Sequence, residues 1–102
     1  MIRAEYNPRA TRLLVQGHAG SGDPGRDLVC AGVSALLLAL REELLALEEE
    51  GKLSIRRLQL EPGYADIRAK GDEAELVYDT VVRGLELLER LFGEFVKVHR
   101  AG

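Results

Sequence analysis

The sequence predicts a small α+β domain in which two long helices pack on a β-sheet, with elements in the order ββαββαβ. Three observations support this fold: short segments in which apolar and polar residues alternate, two long stretches with helical apolar spacing, and a Pro-Gly pair between two strand-like segments. The chain has 102 residues, which is enough for one hydrophobic core, so residues 1–102 are expected to form a single domain.

Two short strands are predicted at the N-terminus. Residues 2–6 alternate between apolar and charged types, and the Asn-Pro pair after them favours a turn. Residues 12–18 predict a second strand that ends at His18, with Leu13 and Val15 on one face and His18 on the other.

A long first helix is predicted after a glycine-rich loop. Residues 20–25 contain a proline and the glycines Gly20, Gly22 and Gly25, a composition that favours a surface loop. Asp27 is the predicted N-cap, because its carboxylate can accept a hydrogen bond from an N–H two or three residues later. The helical pattern then extends to about Glu49, and Gly51 is the predicted stop.

The second half of the chain predicts a hairpin, a helix and a last strand. Residues 54–61 and 64–70 flank Pro62-Gly63, which suits the centre of a type II turn, with Ala65, Ile67 and Ala69 facing the core. A second helix is expected from about residue 72 to residue 92, since its apolar residues recur at spacings of three and four. Gly93 ends this helix, and residues 95–100 form the final strand.

Composition limits the partners and the compartment. The chain has 14 basic and 17 acidic residues, a formal net charge of −3 and no dense Lys/Arg stripe, so direct binding to nucleic acid is not expected and a basic partner suits the charge better. A single cysteine cannot form an internal disulfide, and Met1 does not open a signal peptide, so a cytoplasmic location is expected. No membrane span is expected either, because the longest apolar run, residues 28–40, is shorter than the roughly 20 residues that a bilayer requires.

The single cysteine and the first histidine are the candidate catalytic residues. Cys30 is expected in the first turn of the apolar helix, where the positive end of the helix makes a thiol easier to ionise, and His18 precedes it across the glycine-rich loop. Thiolate catalysis needs a sulfur nucleophile, an imidazole that carries the proton, and N–H donors for an oxyanion. The free N–H groups of the first helical turn would supply those donors, and Ser34 lies on the same helical face as Cys30.

A structural interpretation stands beside each of these assignments. Cys30 could be a packing residue, His18 a structural histidine at a strand end, and Ser34 a hydroxyl that bonds to the carbonyl four residues back. Asp27 is most simply a cap. One Cys and two distant His provide no metal-ligand pattern, and the glycine-rich loop lacks the Gly-Lys-Ser/Thr ending of a P-loop, so no metal or cofactor is expected.

Two segments of the chain carry a family signature. Gly17-His18-Ala19 is followed by a short loop and then by Asp-x-Val-Cys-Ala-x-x-Ser-x-Leu at residues 27–36. In these segments the chain resembles the bacterial ribosomal-processing cysteine protease family, Prp. The length and the ββαββαβ order also fit that family over the whole chain.

The resemblance implies a homodimeric endopeptidase that removes the N-terminal extension of a large-subunit ribosomal protein, the one numbered twenty-seven, by cutting beside paired phenylalanines. Carried over by position, it implies Cys30 as nucleophile and His18 as general base, with Gly17, Asp27 and Ser34 as supporting residues. The loop of residues 20–26 would be a mobile cover over the site, with Gly20, Gly22 and Gly25 permitting its movement.

Two other hypotheses use the same residues differently. The first is a non-catalytic, ribosome-associated module that holds a peptide in the groove beneath the loop and needs no ionised thiol. The second is a thiol-dependent transferase or redox sensor, which would form a stable covalent adduct with a small metabolite.

Overall fold

Strands and helices follow one another in the order that the sequence predicts. The computed structural model describes residues 1–18 and 24–101, and the side chains of all of these except 24–26. Within that part of the chain the elements are β1 (Ile2–Asn7), β2 (Arg12–Gln16), α1 (Pro24–Glu49), β3 (Ser54–Glu61), β4 (Tyr64–Lys70), α2 (Ala74–Leu91) and β5 (Val96–Arg100). The predicted α+β fold is confirmed, and both hairpin strands begin and end at the predicted residues.

The strands form a single sheet that buries only one face. Its order is β3-β4-β2-β1-β5, with β1 and β5 parallel and the other neighbours antiparallel. Alternate residues of the strands are buried together with one side of each helix, in a core that includes Ala4, Leu13, Ile67, Leu40 and Leu85. Both helices therefore cover the same face, and no helix among residues 1–18 and 24–101 is long and apolar enough to cross a membrane.

The two helices approach each other closely at two glycines. A Cβ at Gly32 of α1 would lie 3.3 Å from Leu88 of α2, and a Cβ at Gly84 of α2 would lie 2.8 Å from Leu36 of α1. Each glycine thus packs against a leucine side chain of the opposite helix. This packing fixes the position of α1, and with it the predicted catalytic cysteine, relative to the rest of the core.

The end of α1 follows the prediction. Gly51 has a φ of +76°, its N–H donates to the Glu48 carbonyl at 3.0 Å, and the Lys52 N–H donates to the Leu47 carbonyl at 2.9 Å. This pair of bonds is the Schellman arrangement, in which a glycine in the left-handed region satisfies carbonyls at the helix end.

The beginning of α1 differs from the prediction. The helix starts at Pro24, so Gly25 belongs to the helix and not to the predicted mobile loop, and Asp27 lies in the first turn instead of capping it. Proline is compatible with this position because its fixed φ suits the first turn and its missing N–H is not needed there. Gly20 and Gly22, the other two glycines of the predicted mobile loop, lie outside the described residues.

The end of β2 also differs from the prediction, which placed His18 as the last residue of the strand. The strand ends at Gln16, and Gly17 has a φ of +102°, which interrupts the alternation of faces. His18 therefore lies beyond the strand. The remaining differences are shifts of one or two residues at the ends of β1, α2 and β5.

The open face of the sheet contains one buried charge. Asp66 of β4 is 3% exposed, and Arg12 of β2 donates two hydrogen bonds of 2.9 Å to its carboxylate. Arg57 of β3 lies 3.0 Å from the same carboxylate. The Arg12 hydrogen bonds, opposed in part by burial, hold the pKa of the Asp66 carboxyl below its usual value.

We expect Asp66→Asn to lower the free energy of unfolding at pH 7 by about 2 kcal/mol, less than for a fully buried pair because both arginines are half-exposed. A lowered folded-state pKa stabilises the fold above the unfolded-state value of about 3.9, and this stabilisation is lost as the pH falls through the folded-state value. Urea unfolding should therefore separate the two proteins at pH 7 and bring them together in acid. The exposed Asp72→Asn is the control, and an equal loss in both variants would contradict the assignment.

Candidate active site

A cavity of about 500 Å³ lies between α1, the end of β2 and the β3–β4 hairpin. Cys30 and Ser34 line it from α1, and Gly17 and His18 line it from the segment after β2. The structure thus brings four of the predicted site residues to one place. Asp27, the fifth, is exposed in the first turn of α1 and does not line this cavity.

Gly17 places His18 at the cavity. The positive φ of Gly17 favours glycine, and a Cβ at that position would overlap with the Met1 carbonyl oxygen. Its N–H donates to the Gly63 carbonyl at 2.9 Å, and the terminal amino group of Met1 donates to the His18 carbonyl at 2.6 Å. The backbone on both sides of the histidine is therefore tied to neighbouring segments.

The imidazole of His18 packs directly on Gly63, in the turn between β3 and β4. A Cβ at Gly63 would overlap with Nε2 of His18 and would lie 2.7 Å from Cε1. Gly63 has a φ of +76°, which the predicted type II turn requires at this position. A glycine at position 63 therefore permits the turn and also leaves room for the imidazole ring. The second role is not evident from the sequence.

Cys30 lies in the second turn of α1, not in the first turn as predicted. Because the helix begins at Pro24, Cys30 is its seventh residue, and the field of the helix terminus has weakened at that distance. Within the helix, the N–H groups that such a start leaves free belong to residues 25 and 26, since Pro24 has none. The thiol is half-buried between the core and the cavity, and Ser34 follows it one turn later on the exposed side.

The wall of the cavity beyond the thiol is mainly apolar. Leu37 and Leu38 of α1 line it together with Leu60 and Tyr64 of the hairpin, while Arg41 and Glu61 supply charged groups. The sequence does not predict these lining residues, because apolar residues of α1 carry no signal that separates a cavity wall from the core. The arrangement offers a thiol and an imidazole beside a pocket that suits apolar side chains.

Metal ligands do not cluster in the described part of the chain, where no group of three or more His, Cys, Asp or Glu residues converges on one point.

Comparison with known proteins gives consistent results. The model of the family described as "Cysteine protease Prp" matches residues 1–97. The proteins described as "Ribosomal processing cysteine protease Prp" in two strains of Staphylococcus aureus, Mu50 and NCTC 8325, are 30% identical over 101 residues, covering 89% of this chain and 87% of their own length.

Two solved structures share the fold. One is the essential ribosomal processing protease Prp of S. aureus in complex with a covalently linked product peptide, with a TM-score of 0.80, 27% identity and coverage of 99% of this chain and 100% of the other. The second is the protein SMU.848 of Streptococcus mutans, with a TM-score of 0.72, 28% identity and coverage of 98% and 93%.

We expect Gly63→Ala to displace the His18 ring, because the added methyl group would occupy the position of Nε2. Gly51→Ala is the matched control, since Gly51 has the same φ of +76° but no atom within 4 Å of its Cβ position. Both variants should lose about 1 to 2 kcal/mol of stability from the backbone strain alone. In proton–carbon NMR spectra only Gly63→Ala should shift the His18 imidazole signals, and unchanged signals would show that the ring does not depend on this contact.

Proposed function

Since this chain belongs to the Prp family of cysteine proteases and is a peptide-bond hydrolase, we propose that Cys30 is its nucleophile and His18 its general base. The observation that supports this assignment is that both residues line one cavity, although they lie on different segments of the chain. Cys30 is the only cysteine of the chain, so no other thiol is available for the reaction.

The proposed reaction has two stages. The sulfur of Cys30 attacks the carbonyl carbon of the scissile peptide bond while His18 takes the thiol proton, and the C–N bond breaks as His18 protonates the leaving amine. Water then attacks the resulting thioester, with His18 again accepting a proton, and releases the new carboxylate and the thiol. Thiol, imidazole and water supply every nucleophile and every proton that these steps transfer.

The other motif residues support this pair. Gly17 positions the histidine through its backbone geometry, and Ser34 adds a hydroxyl at the cavity one turn after the thiol. Asp27 places a carboxylate in the first turn of α1, where a negative charge is favourable. The free N–H groups of that turn are the proposed donors to the oxyanion, acting once the substrate carbonyl lies beside them.

The proposed substrate is the N-terminal extension of a large-subunit ribosomal protein, the one numbered twenty-seven, cut beside paired phenylalanines. The apolar wall formed by Leu37, Leu38 and Leu60 suits such aromatic residues, and the net charge of −3 suits a basic ribosomal protein. The S. aureus relative was solved with a covalently linked product peptide, which supports a peptide as the partner. Cytoplasmic location is part of the proposal, because ribosomes are assembled there.

A homodimer is the proposed assembly. One side of α2 exposes three large apolar side chains, with Leu76 at 74%, Leu87 at 46% and Leu91 at 64% exposure. Their spacing places them on a single helical stripe. A second copy of the chain would cover this stripe and remove it from water.

Cleavage of a peptide that carries the extension tests the catalytic pair. Cys30→Ala and Cys30→Ser should abolish cleavage, and His18→Ala should lower kcat/KM by about 10²- to 10⁴-fold because it removes the general base. His99→Ala, which replaces the other histidine on the exposed side of β5, should cleave normally. Undiminished cleavage by a Cys30 variant would remove the proposal.

Sedimentation at micromolar concentration tests the assembly. The wild-type chain should sediment with the mass of two chains, and Leu87→Lys should shift it towards one, because the charge would be buried at the proposed contact. A wild-type chain that stays monomeric at this concentration would contradict the dimer.

A further inference from the structure

A second cavity, also of about 500 Å³, lies at the opposite end of β2, β3 and β4 from the Cys30 cavity. Arg9 lines it from the turn before β2, Arg56 from β3, and Arg68 and Lys70 from β4. All four side chains are on exposed residues, and no Asp or Glu of the described residues lines this cavity. We call the cavity lined by these four residues the basic cavity.

These cations lack neutralising partners. In the described part of the chain, none of the four residues forms an ion pair with a carboxylate. Asp66, the buried acid on the open face of the sheet, is already bonded to Arg12 and Arg57. The charged residues of the described chain that line this cavity are therefore all basic, although the net charge of the chain is −3.

The arrangement of arginines on the strands concentrates this charge further. Arg68 of β4 lies directly opposite Arg12 of β2 on one side and Arg57 of β3 on the other. Like charges at such cross-strand positions are unfavourable unless an anion neutralises them. The Asp66 carboxylate pairs with Arg12 and Arg57, which leaves Arg68 without an ion-pair partner among the described residues.

The turn that carries Arg9 is held by local hydrogen bonds. The side-chain oxygen of Asn7 accepts bonds from the N–H groups of Arg9 and Ala10, at 3.1 and 3.2 Å. The Thr11 carbonyl accepts a bond of 3.2 Å from the Ala69 N–H. These contacts fix the turn to β4, so Arg9 is held beside the strand that carries Arg68 and Lys70.

We propose that the basic cavity binds the phosphate backbone of RNA. Guanidinium groups match the paired oxygens of a phosphate, and four cations around one cavity can contact successive phosphates of a strand. The choice of RNA over another source of phosphate rests on the proposed function, because the proposed substrate is a ribosomal protein and would be cleaved close to RNA. Binding at this cavity itself does not depend on proteolysis.

The position of the basic cavity allows both sites to be occupied together. Tyr64 at one end of β4 lines the Cys30 cavity and Lys70 at the other end lines the basic cavity. The six steps along the strand from Tyr64 to Lys70 separate them by about 20 Å. RNA at one end would therefore leave the peptide site free.

The experiment measures binding of a short fluorescein-labelled oligouridylate to the full chain by fluorescence anisotropy. The double variant Arg56→Gln with Arg68→Gln should bind at least about tenfold more weakly, and the salt slope of binding to this single strand should fall by about 0.7 for each cation removed. Wild-type binding should weaken by about 50-fold between 50 and 200 mM salt if four phosphates are contacted.

The control is Arg3→Gln with Arg90→Gln, which makes the same change of net charge at exposed residues away from the basic cavity and should bind as the wild type does. A second pair, Arg9→Gln with Lys70→Gln, repeats the test if the first pair unfolds. Peptide cleavage should be unchanged in both pairs of variants, since neither pair touches the Cys30 cavity. If the wild type and all the variants fail to cleave the peptide, that result would count against the proposed function and not against RNA binding.

Three results would overturn the RNA proposal. The first is wild-type affinity in both basic-cavity pairs. The second is equal competition by polyglutamate at the same charge concentration, which would mean that any polyanion binds. The third is equal competition by inorganic phosphate, which would make the cavity a site for free anions.

Discussion

The bond from the Gly17 N–H to the Gly63 carbonyl is the contact on which the candidate site depends. It joins the end of β2 to the turn between β3 and β4 at 2.9 Å, and His18 is the residue directly after Gly17. Both glycines have positive φ values, and both lie so close to other atoms that a side chain would not fit. The imidazole therefore takes its position from two backbone conformations that glycine adopts readily.

The thiol takes its position from a different source, the packing of α1. Val29 and Val33 are buried on either side of Cys30, and Gly32 receives Leu88 of α2. These contacts hold the helix against the sheet and leave the thiol half-buried at the cavity. The catalytic pair proposed here thus joins a residue fixed by helix packing to one fixed by a turn.

The two faces of the sheet carry different types of side chain. Its covered face supplies the apolar core, whereas its open face carries the charges, including the buried Asp66 with its two arginines. The strands also have two functional ends, with the apolar Cys30 cavity at one and the basic cavity at the other. Because the same strands reach both cavities, a change in the register of β4 would disturb both sites.

The sequence alone determined the order of the elements, the hairpin at Pro62-Gly63, the stop at Gly51 and the family. Each of these depends on neighbours in the chain: the periodicity of apolar residues, the φ range of glycine and a local motif. The same local reasoning placed the start of α1 too late. Asp27 is a residue type that favours the N-cap, and the proline among the glycines before it suggested a loop although proline can also begin a helix.

Only the tertiary structure decided where distant residues meet. Gly63 packs against His18, Leu60 and Leu37 line one cavity, and Arg9 lines the other cavity with Arg56 and Arg68. The residues of each set come from segments far apart in the chain. A count of charges gives −3 and no basic stripe, yet the pairing of β2, β3 and β4 brings cations together at one end of these strands. Local propensities carry no information about such encounters, since strand register and helix packing are set by burial of the whole core.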